Sequence, residues 1–199
     1  IKLESESEPL TFTDSTVDSK NGQIELKGPT IDANRAKVTT NGQIKLTAES
    51  GTLDLTDATV DSKNGQIELK GSTIDANGAK ITTNSQIKLT AESGPLDISD
   101  ATVESKNGQI TLTSNAELLA SSAVITTNTQ ISLTSSGDMT LDTAQLDSKS
   151  GEASLTLNQA SATLSVDGAV LQDRDATVVY SPGGVSVTGT PAQGSVQAG

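Results

Sequence analysis

The sequence predicts an all-β protein, a right-handed parallel β-solenoid whose coils hold 21–22 residues and three short strands each. The first observation is a repeat of 43 residues, since the text that begins at Thr16 returns at Thr59 and, more loosely, at Thr102. The second is that apolar and polar residues alternate over stretches such as residues 24–27 (IELK), which is the period of a strand. A unit of this length cannot bury its apolar face alone and must stack on its neighbours. Parallel crossovers are overwhelmingly right-handed, which sets the expected hand of the coil.

Columns of equivalent residues divide the repeat into two half-repeats, and each half-repeat is one coil. A leucine-rich horseshoe has a similar period but needs a helical segment in every repeat, and no spacing of 3.6 residues is found. We therefore expect these columns to point inward and to form the core. They are Val17, Val38, Val60, Ile81, Val103, Ile125 and Leu146; Ile24, Ile44, Ile67, Ile87, Ile110, Ile131 and Ala153; Leu26, Leu46, Leu69, Leu89, Leu112, Leu133 and Leu155; Ile31, Leu53, Ile74, Leu96, Leu118 and Met139; and Ala36, Ala58, Ala79, Ala101, Ala123 and Ala144.

The composition indicates one thin repeat domain rather than a thick globular core. Of the 199 residues only 33% are apolar and 1% aromatic, which is low for a globular protein of this size. Disorder is the rival interpretation of so polar a chain, and the strict columns argue against it. We expect a β-solenoid of about eight coils over residues 1–171 and a tail over residues 172–199, which acts as a cap or an inter-subunit strand and ends in a linker.

Residue types that are missing or in excess narrow the chemistry. The chain contains no Cys and no His, so zinc, thiol and imidazole chemistry carried by the protein are excluded. Its formal net charge of −12 disfavours nucleic acid and anionic membranes as partners. No apolar run approaches the length of a membrane span, so membrane insertion is not expected.

The first 18 residues align without gaps on residues 44–61, so the sequence begins inside a coil. The ends of a solenoid are sheet edges, which natural proteins usually cover. We expect end-to-end self-association at this edge or continuation in a longer chain; the alternative is protection of the edge by Glu4, Glu6 and Glu8. Because the first residue is Ile1 and no signal peptide is seen, we interpret the chain as processed or as part of a longer one.

Two columns of amide side chains mark the corner before each Ile-x-Leu strand. Asn-Gly pairs are typical of turns that need positive φ, and stacked amides can hydrogen-bond as ladders along the axis. Turn chemistry alone explains these residues, so we expect structural ladders. The ladders are Asn21, Asn41, Asn64, Asn84, Asn107 and Asn128, and Gln23, Gln43, Gln66, Gln86, Gln109 and Gln130.

The outward position between the Ile and Leu columns changes sign from coil to coil. Stacked strands lie about 4.8 Å apart, so each charge has opposite charges as neighbours. Each exposed pair contributes only about 0.2–1 kcal/mol, but a slip of one coil brings like charges together. We expect this charge ladder to fix the register; it consists of Lys2, Glu25, Lys45, Glu68 and Lys88.

The next strand carries like charges instead, in an acidic stripe made of Asp32, Asp54, Asp75 and Asp97. At about 4.8 Å two carboxylates repel by roughly 0.9 kcal/mol in water. Bound Ca²⁺ is one hypothesis, since carboxylate oxygens are its preferred ligands. A solvated stripe screened by salt is the alternative, and we favour it because Ca²⁺ takes six or more oxygens.

The run T-x-x-S-x-N-G-x-I-x-L, followed by A-x-V-T-T-N-G, resembles the repeats of filamentous-haemagglutinin-type adhesins, which are exported by two-partner secretion. It is also similar to other secreted right-handed β-helices that serve as adhesins. The resemblance covers roughly residues 1–166. It implies a secreted or cell-surface fibre or stalk that holds binding regions away from the cell, and it implies no particular binding residue.

A structural or adhesive rod that stacks end to end into a filament is the function that we expect. A carbohydrate- or receptor-binding adhesin module is the alternative. We do not expect an enzyme or a cofactor other than Ca²⁺. A polysaccharide-active β-helix needs carboxylates, basic residues and aromatic platforms, and only Arg35, Arg174, Phe12 and Tyr180 are available.

Ice binding by a flat threonine face is disfavoured for a reason of spacing. Thr39, Thr82 and Thr126 occur in alternate coils only, with Asp or Glu between them. The array that such a face requires is therefore interrupted.

Overall fold

The chain winds around one axis, and every coil contributes one strand to each of three sheets. The structure is a computed structural model that describes residues 1–159, 161–172, 176–181 and 184–189. Within these ranges all regular elements are strands, and they form a parallel β-solenoid of eight coils, numbered here from the amino-terminal end. The predicted fold class is confirmed, while the right hand of the coil stays a prediction.

The first sheet has eight parallel strands, most of which begin at the predicted Ile column. They are Lys2–Glu4, Ile24–Gly28, Ile44–Ala48, Ile67–Gly71, Ile87–Ala91, Ile110–Ser114, Ile131–Ser135 and Ala153–Leu157. The second sheet has eight shorter parallel strands. They are Leu10–Thr11, Ile31–Asp32, Thr52–Asp54, Thr73–Asp75, Leu96–Asp97, Leu118–Leu119, Met139–Thr140 and Leu164–Ser165.

The third sheet has eight parallel strands and two further strands at its carboxyl-terminal end. The parallel strands are Thr16–Ser19, Lys37–Thr40, Thr59–Ser62, Lys80–Thr83, Thr102–Ser105, Val124–Thr127, Gln145–Ser148 and Val170–Gln172. Ala176–Ser181 pairs antiparallel with Val170–Gln172, and Gly184–Gly189 pairs antiparallel with Ala176–Ser181.

Equivalent side chains lie directly above one another, because neighbouring strands pair in parallel and in register. Ile44 is paired with Ile24 in the coil before it and with Ile67 in the coil after it. Val60 is paired with Val38 in the same way on the third sheet. The predicted columns are therefore stacks of touching coils, and each coil depends on its neighbours to cover its apolar edge.

The interior is a narrow stack of aliphatic side chains that runs from Val17 to Ala169. Ile67, Leu69 and Ile74, which belong to the same coil, are completely buried. Burial of one such side chain contributes about 1.5–3 kcal/mol, so the free energy of folding is spread along the axis. Three sheets this close together leave room for Val, Ile, Leu and Ala, which explains how 1% aromatic residues suffice.

The corner between the third and first sheets alternates between two lengths along the chain. A corner of four residues follows each strand that ends in Ser, and a corner of three residues follows each strand that ends in Thr. The four-residue corners follow Ser19, Ser62, Ser105 and Ser148, and the three-residue corners follow Thr40, Thr83 and Thr127.

Glycine in the four-residue corners is required by the close approach of stacked backbones. A Cβ on Gly65 would lie 2.2 Å from the carbonyl carbon of Gly42, and a Cβ on Gly108 would lie 2.2 Å from that of Ser85. The expectation that the Asn-Gly corners need positive φ is wrong, since these glycines are not among the residues with positive φ. The glycine instead removes a side chain that has no space between two coils.

Positive φ occurs at the other predicted corner, between the second and third sheets, once in every coil. Left-handed backbone costs a residue other than glycine about 1–2 kcal/mol, so most coils carry strain that the stacked neighbours must offset. With φ between 52° and 70°, these residues are Asp14, Arg35, Asp57, Gly78, Asp100, Ser122, Thr143 and Gly168.

The last coil is longer than the others. Leu171 pairs with Leu146, so this step takes 25 residues, and the expectation that the coils shorten after Leu146 is wrong. Most of the additional residues lie between the first and second sheets, in the segment 158–163. Parallel pairing extends to Gln172, and the predicted linker at residues 190–199 lies outside the described residues.

Candidate functional site

The charge ladder on the first sheet is in register along the axis. Lys2 pairs with Glu25, Glu25 with Lys45, Lys45 with Glu68, and Glu68 with Lys88. The ammonium of Lys2 lies 3.9 Å from the carboxylate of Glu25, and that of Lys45 lies 3.8 Å from that of Glu68. These groups are partly exposed, so the ladder contributes more to register than to stability.

A second group of ion pairs lies beside the ladder and was not predicted from the sequence. Lys27 Nζ lies 2.8 Å from Glu49 and 3.1 Å from Glu4, which belong to the coils on either side of it. Glu49 and then Glu4 raise the pKa of Lys27, and Lys27 lowers the pKa of Glu4. Lys70 repeats the arrangement two coils later, 2.7 Å from Glu92.

Arg35 joins the first two coils at the left-handed corner. Its Nε and Nη2 donate to the two carboxylate oxygens of Asp14 at 2.7 and 2.8 Å. This two-pronged contact lowers the pKa of Asp14 and raises that of Arg35. The equivalent residue two coils later is Gly78, where the side chain of Asp57 occupies the space.

The acidic stripe is stacked as the sequence spacing suggests. Asp54 pairs with Asp32 on one side and with Asp75 on the other, and Asp75 pairs with Asp97. Each carboxylate accepts a hydrogen bond from the backbone N–H two residues later, at distances from 2.8 Å in Asp97 to 3.2 Å in Asp75. This local bond closes the start of the corner toward the third sheet, so the aspartates act as turn-forming residues.

The described ranges contain no group of three or more acidic side chains arranged to hold a metal ion. In the acidic stripe the strand pairing places the carboxylates one above another, and one oxygen of each is already bound to a backbone N–H. Binding of Ca²⁺ to Asp32, Asp54, Asp75 and Asp97 stays a prediction, for which the Discussion gives a test.

Each amide column contains one hydrogen bond between side chains in the described part of the chain. Asn41 Nδ2 donates to Asn21 Oδ1 at 3.1 Å, and Gln109 Nε2 donates to Gln130 Oε1 at 3.2 Å. The glutamines also contribute through their backbone, as where the carbonyl of Gln43 accepts from the N–H of Ile24 at 2.9 Å.

A column of buried hydroxyl groups runs along the same corner, and the sequence analysis missed it. Ser62 Oγ donates to the carbonyl oxygen of Gly42 in the preceding coil at 2.6 Å and accepts from the N–H of Gly65 at 3.0 Å. Thr83 Oγ1 makes the corresponding bonds to Gly65 and Ser85. Each hydroxyl therefore joins two coils and closes its own corner.

The constant cross-section is interrupted at the corner between the first and second sheets. This corner has four residues in coil 5 (92–95), three in coils 6 and 7 (115–117 and 136–138) and six in coil 8 (158–163). Two short corners thus lie between longer ones and leave an open groove of about 470 Å³, which we call the coil 5–8 groove. Ala116 and Gly137 line its middle, and residues 93–95 and Gln159 line its two ends.

Two buried serines hold the short corners of the groove in place. Ser114 and Ser135 end the strands of coils 6 and 7, where coils 2–5 have Gly or Ala, and both are fully buried. Ser114 Oγ donates to the carbonyl of Glu117 at 2.8 Å and accepts from the N–H of Ala116 at 3.2 Å. Ser135 Oγ donates to the carbonyl of Ala116 at 2.7 Å. The backbone beneath the groove is therefore fixed.

Two stacked carboxylates lie in the groove. Leu118 pairs with Met139, so Glu117 lies next to Asp138 in the adjacent coil. Asp138 Oδ1 accepts a hydrogen bond from the N–H of Thr163 at 2.7 Å, and this bond lowers the pKa of Asp138. In the described part of the chain neither carboxylate forms an ion pair.

Comparisons of the chain with protein-family models, with curated proteins and with solved structures find no match. Among the described residues there is no helix of the length and apolar character needed to span a membrane. The function is therefore inferred from the geometry of the molecule and from the repeat pattern.

Proposed function

We propose that the chain is a structural segment of a secreted or cell-surface rod. The observation that carries this proposal is the in-register stacking of eight coils along one axis. At about 4.8 Å per coil, the eight coils extend roughly 40 Å, and their outward side chains form lines parallel to the axis. A structural rather than a catalytic role, without a cofactor, is part of the proposal.

The location and the adhesive role are supported by the repeat pattern. The text shared by residues 16–26 and 59–69 resembles the repeats of filamentous-haemagglutinin-type adhesins. A stiff rod of constant section is what such proteins need to hold a binding region away from a cell. Its acidic surface favours solubility and disfavours adsorption to nucleic acid or anionic lipid.

End-to-end assembly is the further part of this proposal. A solenoid grows when a new coil pairs with the strands at its end, and such contacts between identical chains form filaments when they do not close. The antiparallel strand Ala176–Ser181 already occupies the edge of the third sheet. A coil that joins this end therefore pairs with the first and second sheets only.

Electron microscopy and light scattering of the purified chain over a range of concentrations test the proposal. We expect thin particles about 40 Å long when dilute, and lengths in multiples of this value when concentrated. Compact, isotropic particles would refute the rod. Particles of one length at every concentration would refute end-to-end assembly but not the rod.

A second candidate function is a binding module of adhesin type. The coil 5–8 groove favours it, because the groove interrupts a surface that is otherwise uniform. The rod would then both carry the ligand-binding site and hold it at a distance.

A further inference from the structure

We propose that the coil 5–8 groove binds a neutral oligosaccharide. The inference rests on the binding role proposed above and names the class of ligand. It does not depend on whether the rods assemble end to end.

The groove has the properties of a formed site rather than of an irregular surface. Its volume of about 470 Å³ lies in the range of about 300–1,000 Å³ that is usual for small-molecule sites. The buried hydroxyls of Ser114 and Ser135 fix the short corners, so a ligand meets a backbone that is already ordered. Functional sites are expected where a regular sequence breaks its own rule, and this corner changes length three times within four coils.

The lining groups match a polyhydroxylated ring. The carboxylates of Glu117 and Asp138 accept hydrogen bonds from hydroxyl groups, and the amide of Gln159 both donates and accepts. Pro95 and Ala116 add apolar surface for the C–H face of a sugar. This combination of a few polar groups with small apolar surfaces fixes the orientation of a ligand without requiring charge on it.

The charges of the groove select against acidic ligands. Glu117 and Asp138 lie in adjacent coils, about 4.8 Å apart along the axis, and are not paired with a cation in the described ranges. A sulfate, phosphate or sialic acid group would meet both carboxylates and be repelled. A cationic amine would be attracted, but it would leave the amide and the apolar end of the groove without a partner.

Nuclear magnetic resonance of the ¹⁵N-labelled chain tests the inference with defined probes. The probes are cellotriose, maltotriose, triacetylchitotriose and lactose, with sialyllactose and spermidine for comparison, all at millimolar concentration. We expect at least one neutral saccharide to shift the amide signals of Ala116 and Gly137 and the side-chain signal of Gln159. Sialyllactose is expected to leave them in place.

Two variants and a matched control locate the binding. Glu117→Gln and Gln159→Ala change exposed side chains of the groove, and each is expected to weaken saccharide binding about tenfold, which corresponds to one charge-assisted or well-placed hydrogen bond. Glu152→Gln removes an exposed carboxylate from a corner of the same region that does not line the groove, and should leave binding unchanged.

Three outcomes would overturn the proposal. They are no shift with any neutral saccharide, shifts with spermidine alone, and saccharide shifts that both groove variants leave unaltered. None of these outcomes changes the particle length seen by electron microscopy, so a failure of the groove can be distinguished from a failure of the rod.

Discussion

The hydroxyl of Ser105 donates a hydrogen bond of 2.5 Å to the carbonyl oxygen of Ser85 in the preceding coil and accepts one of 3.0 Å from the N–H of Gly108 in its own corner. Ser105 is fully buried, so water cannot replace either bond. One small side chain thus connects two coils and closes a turn.

Ser105→Ala is expected to lower the free energy of unfolding by about 1–3 kcal/mol, because it leaves a buried carbonyl and a buried N–H without a partner. Equilibrium unfolding in urea measures the loss. Ser150→Ala, at an exposed corner position in a later coil, is the control and should change stability by less than about 0.5 kcal/mol. Equal effects of the two substitutions would show that the buried hydroxyl is not needed.

Gly65→Ala is expected to destabilise the solenoid by about 1–3 kcal/mol or more, because the new Cβ meets the backbone of the coil before it. The contact with the carbonyl carbon of Gly42 would be 2.2 Å, and backbone on both sides has no room to move. Gly22→Ala is the matched control at the same corner of coil 1, where the nearest atom is Ser19 Oγ at 3.2 Å. Thermal unfolding should show a large decrease for Gly65→Ala and a small one for Gly22→Ala.

Lys45→Glu should weaken the charge ladder, because it places a third carboxylate between Glu25 and Glu68. We expect a loss of about 1 kcal/mol at low salt and a smaller loss at high salt. Lys63→Glu changes the net charge equally at an exposed corner and serves as the control. A salt dependence that is the same for both variants would mean that net charge, rather than the ladder, sets the effect.

Stability should decrease in acid because three carboxyl groups have lowered pKa values in the folded chain. The causes are the hydrogen bond of Lys27 to Glu4, that of Arg35 to Asp14, and the backbone N–H bound to Asp138. A group with a lowered pKa stabilises the fold above its unfolded value and loses this contribution as the pH falls through its folded value. The ordinary values are 4.5 for Glu4 and 3.8 for Asp14, so the decrease belongs below about pH 4.5.

Urea unfolding between neutral pH and pH 3 measures this decrease. Asp14→Asn should flatten part of the curve in acid, because it removes one group with a lowered pKa. At the alkaline end the sign is reversed for Lys27, whose raised pKa makes its contribution complete below 10.5 and lost above it. A curve for Asp14→Asn that is parallel to the parent curve would contradict the role given to the Asp14–Arg35 pair.

Chelator should leave the melting temperature unchanged, because each aspartate of the acidic stripe is already bound to a backbone N–H. The measurement is a melting curve with added CaCl₂ and with EDTA at equal ionic strength. A higher melting temperature in CaCl₂ that EDTA reverses, and that Asp75→Asn removes, would establish the calcium hypothesis instead.

The stacked architecture could be predicted from sequence because equivalent residues stay alike when they lie in one column. Ile24, Ile44 and Ile67 keep the same type because each fills the same place in a narrow core. The columns for which the analysis had no such pattern were missed. Ser62 and Thr83 alternate and resemble ordinary turn residues, although their hydroxyls are buried in one hydrogen-bonded line.

The corner geometry and the groove were harder to predict for two further reasons. Positive φ occurs at Asp57, Gly78 and Thr143 alike, so residue type does not mark that corner. Asn-Gly was a misleading signal, because Gly65 is needed for the space between coils and not for its dihedral angle. The groove depends on a difference in corner length between coils, which appears only when the strands are placed.

The alternation of Ser and Thr corners limits how such a chain can gain or lose length. Deleting or inserting 43 residues keeps a four-residue corner next to a three-residue one and keeps opposite charges adjacent. Changing the chain by a single coil would place two corners of equal length together and set glutamate beside glutamate. Gene duplication can therefore extend this protein in pairs of coils, and odd numbers of coils would be removed by selection.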